Sequence, residues 1–340
     1  TDYAMNKRPP NPDCTQYGLW PYGKFTYSSH DVSKGLWGTY PNNGQQQRIP
    51  VGPSAGQTVY VPIDPTRVCD TRLACPGARV APVPGGGSIT FDLDKGINVQ
   101  TGQIVKNDVI PADATAVAYN ITAINTSSRG WFAVMPPSEA SASASSINWP
   151  DAGQVVANGL TVKSGPERQT KVQNGAATAT DMAFDVVGYF IDPAKAVTPG
   201  QLFHPMTPQR VFDSRTSGPG GTPDPIQPGD QNSRVVKVNQ PLPADAKAVA
   251  YNIVAVDTPA RGFFAVAPGD VVTYDASTIN WAGPGYVIAN GQFSKIANDG
   301  TIRVFNGSSL PTNAIIDITG YFTDEASSFS GNYFFPIVPA

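Results

Sequence analysis

Residues 117–190 return at 249–322 with a constant offset of 132. VAYNI (117–121) recurs as VAYNI (249–253), RGWFAV (129–134) as RGFFAV (261–266), and INW (147–149) as INW (279–281). ANG (157–159) recurs as ANG (289–291), and DVVGYF (185–190) as DITGYF (317–322). An unchanged offset leaves no net insertion inside the unit. The period is far longer than the roughly 20–50 residues of a solenoid repeat, so each copy is long enough to bury a core of its own. Two domains in tandem are expected, over 61–192 and 200–323.

Punctuation between short apolar runs sets the expected fold class. Gly and Pro number 33 each in 340 residues, with no collagen period. In the second copy RVVKVN, AVAYNIVAVDT, RGFFAVAPG, STINWAG, YVIANGQFSKIA, GTIRVFNGS and AIIDITGYFTD each stop at turn-forming residues. Neither PADATAVAYN nor PADAKAVAYN continues a helical period. The reading is all-β: two tandem β-sandwich domains of about 130 residues each, with an extended N-terminal arm and a short C-terminal tail.

The arm, 1–60, has no counterpart in the repeat. It carries Trp20, Tyr22, Trp37 and Tyr40 among many Pro, Gly and Asn residues, too many large rings for a flexible linker. It is expected to attach the chain to a partner or to its own domains. The tail, 324–340, ends in an apolar run and is expected to dock. No apolar h-region opens the chain, and Thr1 fits either loss of an initiator Met or signal cleavage.

Several function classes are disfavoured. Charged residues are 14% of the chain and the net charge is −3, which gives no basic surface for nucleic acid. No apolar run is long enough to insert in a membrane. His30 and His204 are the only histidines, and each reads as a lone surface residue with no nucleophile in reach. No cofactor motif or metal-ligand spacing occurs. Glu139, Glu167 and Glu325 fall in loops or the tail, and the duplicated acids have structural readings, so no enzyme activity is expected. Cys69 and Cys75 are close enough to close a small disulfide loop, which the second copy lacks.

Each copy opens on an arginine motif, PTRVCDTR (65–72) and PQRVFDSR (208–215), now at an offset of 143. The first opening loop is thus eleven residues longer, the mark of a surface loop or an added hairpin. Arg67, Asp70 and Arg72, like Arg210, Asp213 and Arg215, could form an anion or sugar site, or an internal clasp. Reuse in both copies favours the clasp. Asp185 and Asp317 are read as structural acids of the closing strand. The repeated amides, Asn120/Asn252 with Asn148/Asn280 and Asn158/Asn290, read as satisfying nearby backbone groups. Trp149 and Trp281 read either as core plugs or as glycan-stacking residues.

This ordered set, P-x-R-V-x-D-[ST]-R, AVAYN, RG[WF]FAV, INW, ANG and D-x-x-G-Y-F, resembles a repeat of actinobacterial surface and secreted proteins. The same repeat is found in minor tail proteins of phages infecting those hosts. The resemblance covers 65–191 and 208–323. It implies a structural or adhesive module with no catalytic residues, here a virion component at the tail, tail tip or fibre. A capsid decoration protein and a secreted cell-surface adhesion module are the alternatives. Implied partners are other virion proteins, through the arm and tail, and host-surface glycan. A homo-oligomer is the default for such a part.

Overall fold

A computed structural model describes the backbone of 36–39 and 46–49, residues 57–324 except 166 and 275, and residues 331–336. Residues 1–56 and 57–340 form separate units. In the first, β1 (Leu36–Thr39) and β2 (Gln46–Ile49) make an antiparallel hairpin that sets Trp37 opposite Arg48. Trp20, Tyr22 and Tyr40 lie outside the described residues, as does His30.

The second unit is all-β, with no α-helix among the described residues. The first repeat contributes β3 (Val59–Asp70), β4 (Ser88–Asp92), β5 (Lys95–Ile97), β6 (Ile104–Asn107) and β7 (Ala114–Ile124). It continues with β8 (Gly130–Met135), β9 (Ile147–Trp149), β10 (Val156–Lys163), β11 (Gln169–Asn174) and β12 (Asp181–Ile191). The second contributes β13 (Gln201–Asp213), β14 (Arg234–Lys237), β15 (Ala246–Val256) and β16 (Gly262–Pro268). Its last strands are β17 (Ile279–Trp281), β18 (Ile288–Lys295), β19 (Thr301–Asn306) and β20 (Asn313–Asp324). The extra length of the first copy is the β5–β6 hairpin, the form of insertion expected there.

Alternation along β7 shows how each sandwich closes. Val117, Tyr119, Ile121 and Ala123 point into the first core, against Phe91 of β4 and Phe132 of β8. Val249, Tyr251, Ile253 and Ala255 of β15 do the same in the second. The outer sheets are β4-β11-β8-β9 and β14-β19-β16-β17. Each copy therefore has its own core, as the length of the period implies.

The inner sheets are not separate. They join in one eight-stranded sheet, β10-β7-β12-β3-β13-β20-β15-β18, palindromic in repeat order about the β3–β13 junction. The second faces of β7 and β15 are small, Ala116 and Ala118, Ala248 and Ala250. They pack with Tyr60, Phe190 and Phe322 into a third core shared by both copies. Tyr60 anchors it, its hydroxyl donating to the Val187 carbonyl at 3.0 Å. Two sandwiches in tandem are thus fused through sheet and core.

The sheet curls until its end strands meet: the Gly159 amide of β10 donates to Asn290 Oδ1 of β18 at 2.9 Å. The tail docks, with Asn332 bridging to Phe203 and Phe334 to Thr58, and the Phe334 ring stacked on Phe190. His204 departs from the surface reading. It is 7% exposed, stacked on Tyr321 and bonded through Nε2 to the Thr323 hydroxyl at 2.8 Å. Its alternation in β13 turns it toward β20 and the tail, whose Gly331 lies against the imidazole.

Candidate functional site

Antiparallel pairing of β12 with β3 puts Asp185 opposite Arg67. Arg67 donates Nε and Nη2 to Asp185 and Nη1 to Asp70, the last at 3.0 Å. Arg72 adds Nε and Nη2 bonds to Asp70 at 2.9 and 2.7 Å, with its own amide at 3.1 Å. Burial alone would raise the Asp70 pKa, but the Arg72 and Arg67 guanidinium groups hold it below the usual carboxylate range. Burial would likewise lower that of Arg67, and Asp185 and Asp70 outweigh it. The motif is a clasp that ties the opening strand to the closing one.

The second copy makes the same bonds. Arg210 pairs with Asp317 (2.9 Å) and Asp213 (3.4 Å), and Arg215 with Asp213 (2.7 Å). Its surroundings differ. The Arg67 side chain is 9% exposed and Asp70 fully buried, whereas Arg210 is 50% exposed. The first clasp borders a cavity whose other walls include Val99, in the turn of the β5–β6 hairpin, and Arg261 and Phe263 of the second repeat. The symmetry of the sequence is broken in the packing.

Trp149 and Trp281 are 2% and 0% exposed, which rules out the sugar-stacking alternative for both. INW alternates Ile and Trp inward, so each indole lies edge-on to Phe132 or Phe264. Each Nε1 donates to a carbonyl, Ser128 or Ala260. Less buried aromatics stand beside them: half-buried Trp131 and Phe263 rest on Gly175 and Gly307, where any Cβ would strike the ring. The repeated Asn-Gly pairs at 174–175 and 306–307 were the available signal. Asn174 and Asn306 are fully buried and each bonds three backbone groups.

The other amides divide. Asn158 and Asn290 donate to the Ser146 and Thr278 carbonyls, as expected. Asn120 reaches across the repeats, donating to the Ser277 carbonyl at 2.6 Å and accepting from Asn290 at 3.0 Å. Its counterpart Asn252 is half-buried. Asn148 is exposed and bonded to Ser145, but Asn280 is 7% exposed and its Oδ1 has no hydrogen-bond partner among the described residues. Cys69 and Cys75 form the disulfide allowed by their spacing.

Asn280 lines a cavity of about 420 Å³ between the copies. Arg67, Arg72 and Thr122 come from the first repeat, and Arg261, Phe263 and Tyr274 from the second. Among its described lining residues there are three arginines and no carboxylate. Elsewhere among the described residues no metal-ligand cluster occurs, and no helix is long and apolar enough to cross a membrane.

No protein-family model matches the sequence, and no curated protein matches it. Solved structures with some likeness include the N-terminal CBM22-1-CBM22-2 tandem domain of Xyn10C from Paenibacillus barcinonensis. It shares 9% identity over 81% of this chain and 100% of that one, with a TM-score of 0.20, a likeness too slight to bear on function.

Proposed function

We propose that the chain is a non-enzymatic structural and adhesive protein of an actinobacteriophage virion, placed at the tail, tail tip or fibre, where it touches host-surface glycan. One observation carries the non-catalytic part. The duplicated acids are bound into scaffold, Asp70 and Asp185 by Arg67, and Asp213 and Asp317 by Arg210. A glycosidase needs one carboxyl free to give a proton and a second to act on the opposite side of the bond. The motif set supports the virion placement, and the Cys69–Cys75 disulfide suits an oxidising exterior such as a particle surface.

Labelling purified actinophage particles with antibody against residues 57–340 tests the placement. Label at the tail tip or fibre is the expected result. Label over the head would make this a capsid decoration protein, and label on uninfected cell envelopes would make it a secreted adhesion module.

A further inference from the structure

The outer sheet of the first repeat carries an aromatic platform that its twin has built over. Phe132 and Val134 of β8 point into the first core, so Trp131 between them in phase turns to the outer face. There its indole lies across Gly175, whose amide donates to the Trp131 carbonyl at 2.9 Å. Only a residue without a Cβ lets the ring lie that close to the backbone. Pairing of β8 with β9 sets Asn148 directly opposite Trp131. Ile147 and Trp149 go into the core, so the amide of Asn148 shares the outer face with the indole.

Polar groups are left over on this face. The indole Nε1 atoms of Trp149 and Trp281 each donate to a carbonyl. Nε1 of Trp131 makes no hydrogen bond among the described residues, and it is not among their buried unpaired atoms. Asn148 is exposed and donates to the Ser145 hydroxyl at 2.9 Å, while its Oδ1 makes no bond among the described residues. A flat apolar surface thus has a free donor on its edge and a free acceptor beside it.

The second copy shows the same position when the fold alone uses it. Phe263, with no polar edge, packs edge-to-face on Tyr274 at 5.3 Å, and Tyr274 lies 5.4 Å from Phe305. The residues of the first copy at the places of Tyr274 and Phe305 are Ala142 and Gln173, bonded to each other. No aromatic ring reaches Trp131 among the described residues. The copy with the larger ring and the polar edge is the one that lacks the cap.

We propose that Trp131 and Asn148 form a glycan contact, one pyranose ring laid with its C–H face on the indole and its hydroxyls on Nε1 and on Asn148 Oδ1. This rests on the adhesive reading above and gives it a place on the chain. A pyranose supplies what the platform lacks: an apolar face rimmed by hydroxyls that both give and take hydrogen bonds. A proline-rich peptide is a poorer match, since it docks in grooves lined by several aromatic rings.

Titrating the full chain with cellotriose, and separately with β-1,4-galactotriose, while following its indole N–H signals by NMR tests this. Sorbitol, which has the hydroxyls without the ring, and a polyproline peptide are the controls. The signal that Trp131→Phe removes should move with at least one of the sugars and with neither control. Trp131→Phe keeps the kind of ring that the second copy carries here, and it should weaken sugar binding about three-fold or more through the lost hydrogen bond. Trp131→Ala should weaken it about ten-fold or more. Asn148→Ala should cost about three-fold without moving the thermal midpoint, since its side chain is exposed. If Trp131→Ala fails to fold, the other two variants decide. An equal response to sorbitol, or a stronger one to polyproline, would overturn the ligand class. Full sugar binding by Trp131→Phe and Asn148→Ala together would overturn the location. No binding of either sugar by a chain that is still retained on actinobacterial cell walls would sink this site and leave the adhesive reading standing. Loss of wall retention as well would remove both.

Discussion

The amide of Gly159 donates to the side chain of Asn290, and its α-carbon faces the Gly291 carbonyl so closely that a Cβ would come within 2.4 Å of that oxygen. Gly159 and Gly291 are the same residue of the two ANG motifs, meeting where the curled sheet closes. The contact is one-sided: a Cβ on Gly291 would find nothing nearer than the Tyr251 carbonyl at 3.9 Å.

Equivalent substitutions should therefore have opposite consequences. Gly159→Ala drives a methyl group into backbone and should cost about 1–3 kcal/mol, as overpacking does. Gly291→Ala should be neutral or stabilising by up to about 1 kcal/mol, because a strand glycine carries an entropy cost that alanine does not. Urea unfolding of the two variants compares them directly, and equal losses would mean the end strands do not meet.

The clasps should differ likewise. Asp70→Asn leaves Arg67 buried with half its counter-charge, and breaking such a pair costs about 3–5 kcal/mol. Asp213→Asn acts on arginines that are about half exposed, where solvent screens the pairing, so its loss should be far smaller. Denaturation midpoints that fall together would show the second clasp to be as buried as the first.

Acid should act in two stages. Burial depresses the His204 pKa below its ordinary value of about 6.5, with Asp245 opposing weakly. Protonation then favours the unfolded chain, so this contribution is whole above about 6.5 and is lost as pH falls through the folded value. Asp70, also depressed, contributes fully above its unfolded pKa of about 3.9 and loses that only in stronger acid. A Tm lower at pH 5 than at pH 7 is expected for the native chain, and a smaller difference for His204→Gln. An unchanged difference would remove His204 from the first stage.

Fusion through the third core predicts one thermal transition for residues 57–340. Phe322 packs there on Tyr60, Phe203 and Phe293, and Phe322→Ala should cost about 3–5 kcal/mol. It should lower that single transition as a whole, by calorimetry. Two resolved transitions in the native chain would show the repeats to fold independently.

The duplicated spacing and the turn residues were enough to place β14 to β20 and the clasp, which depend on contacts inside one copy, but not β3 and β13, whose segments read only as arginine motifs. The shared core was not legible. Ala116 and Ala118 look like ordinary strand residues until Tyr60 and Phe322 are seen against them. The same holds at the cavity, where identical INW triplets put Asn148 in solvent and Asn280 in the interior. A side chain whose surroundings come from the other copy cannot be read from its own motif. Trp149 and Trp281 failed as contact residues for a local reason, since alternation with Ile already turned them inward.

Covering one clasp and leaving its twin open has a meaning for how such a chain can change. Two identical subunits must carry every substitution twice, so a cleft shaped on one is shaped on both. Joined in one polypeptide, they vary separately: the longer hairpin can remodel the cleft over Arg72 while Arg210 and Arg215 go on tying strands together. One half is free to specialise because the other still holds the architecture.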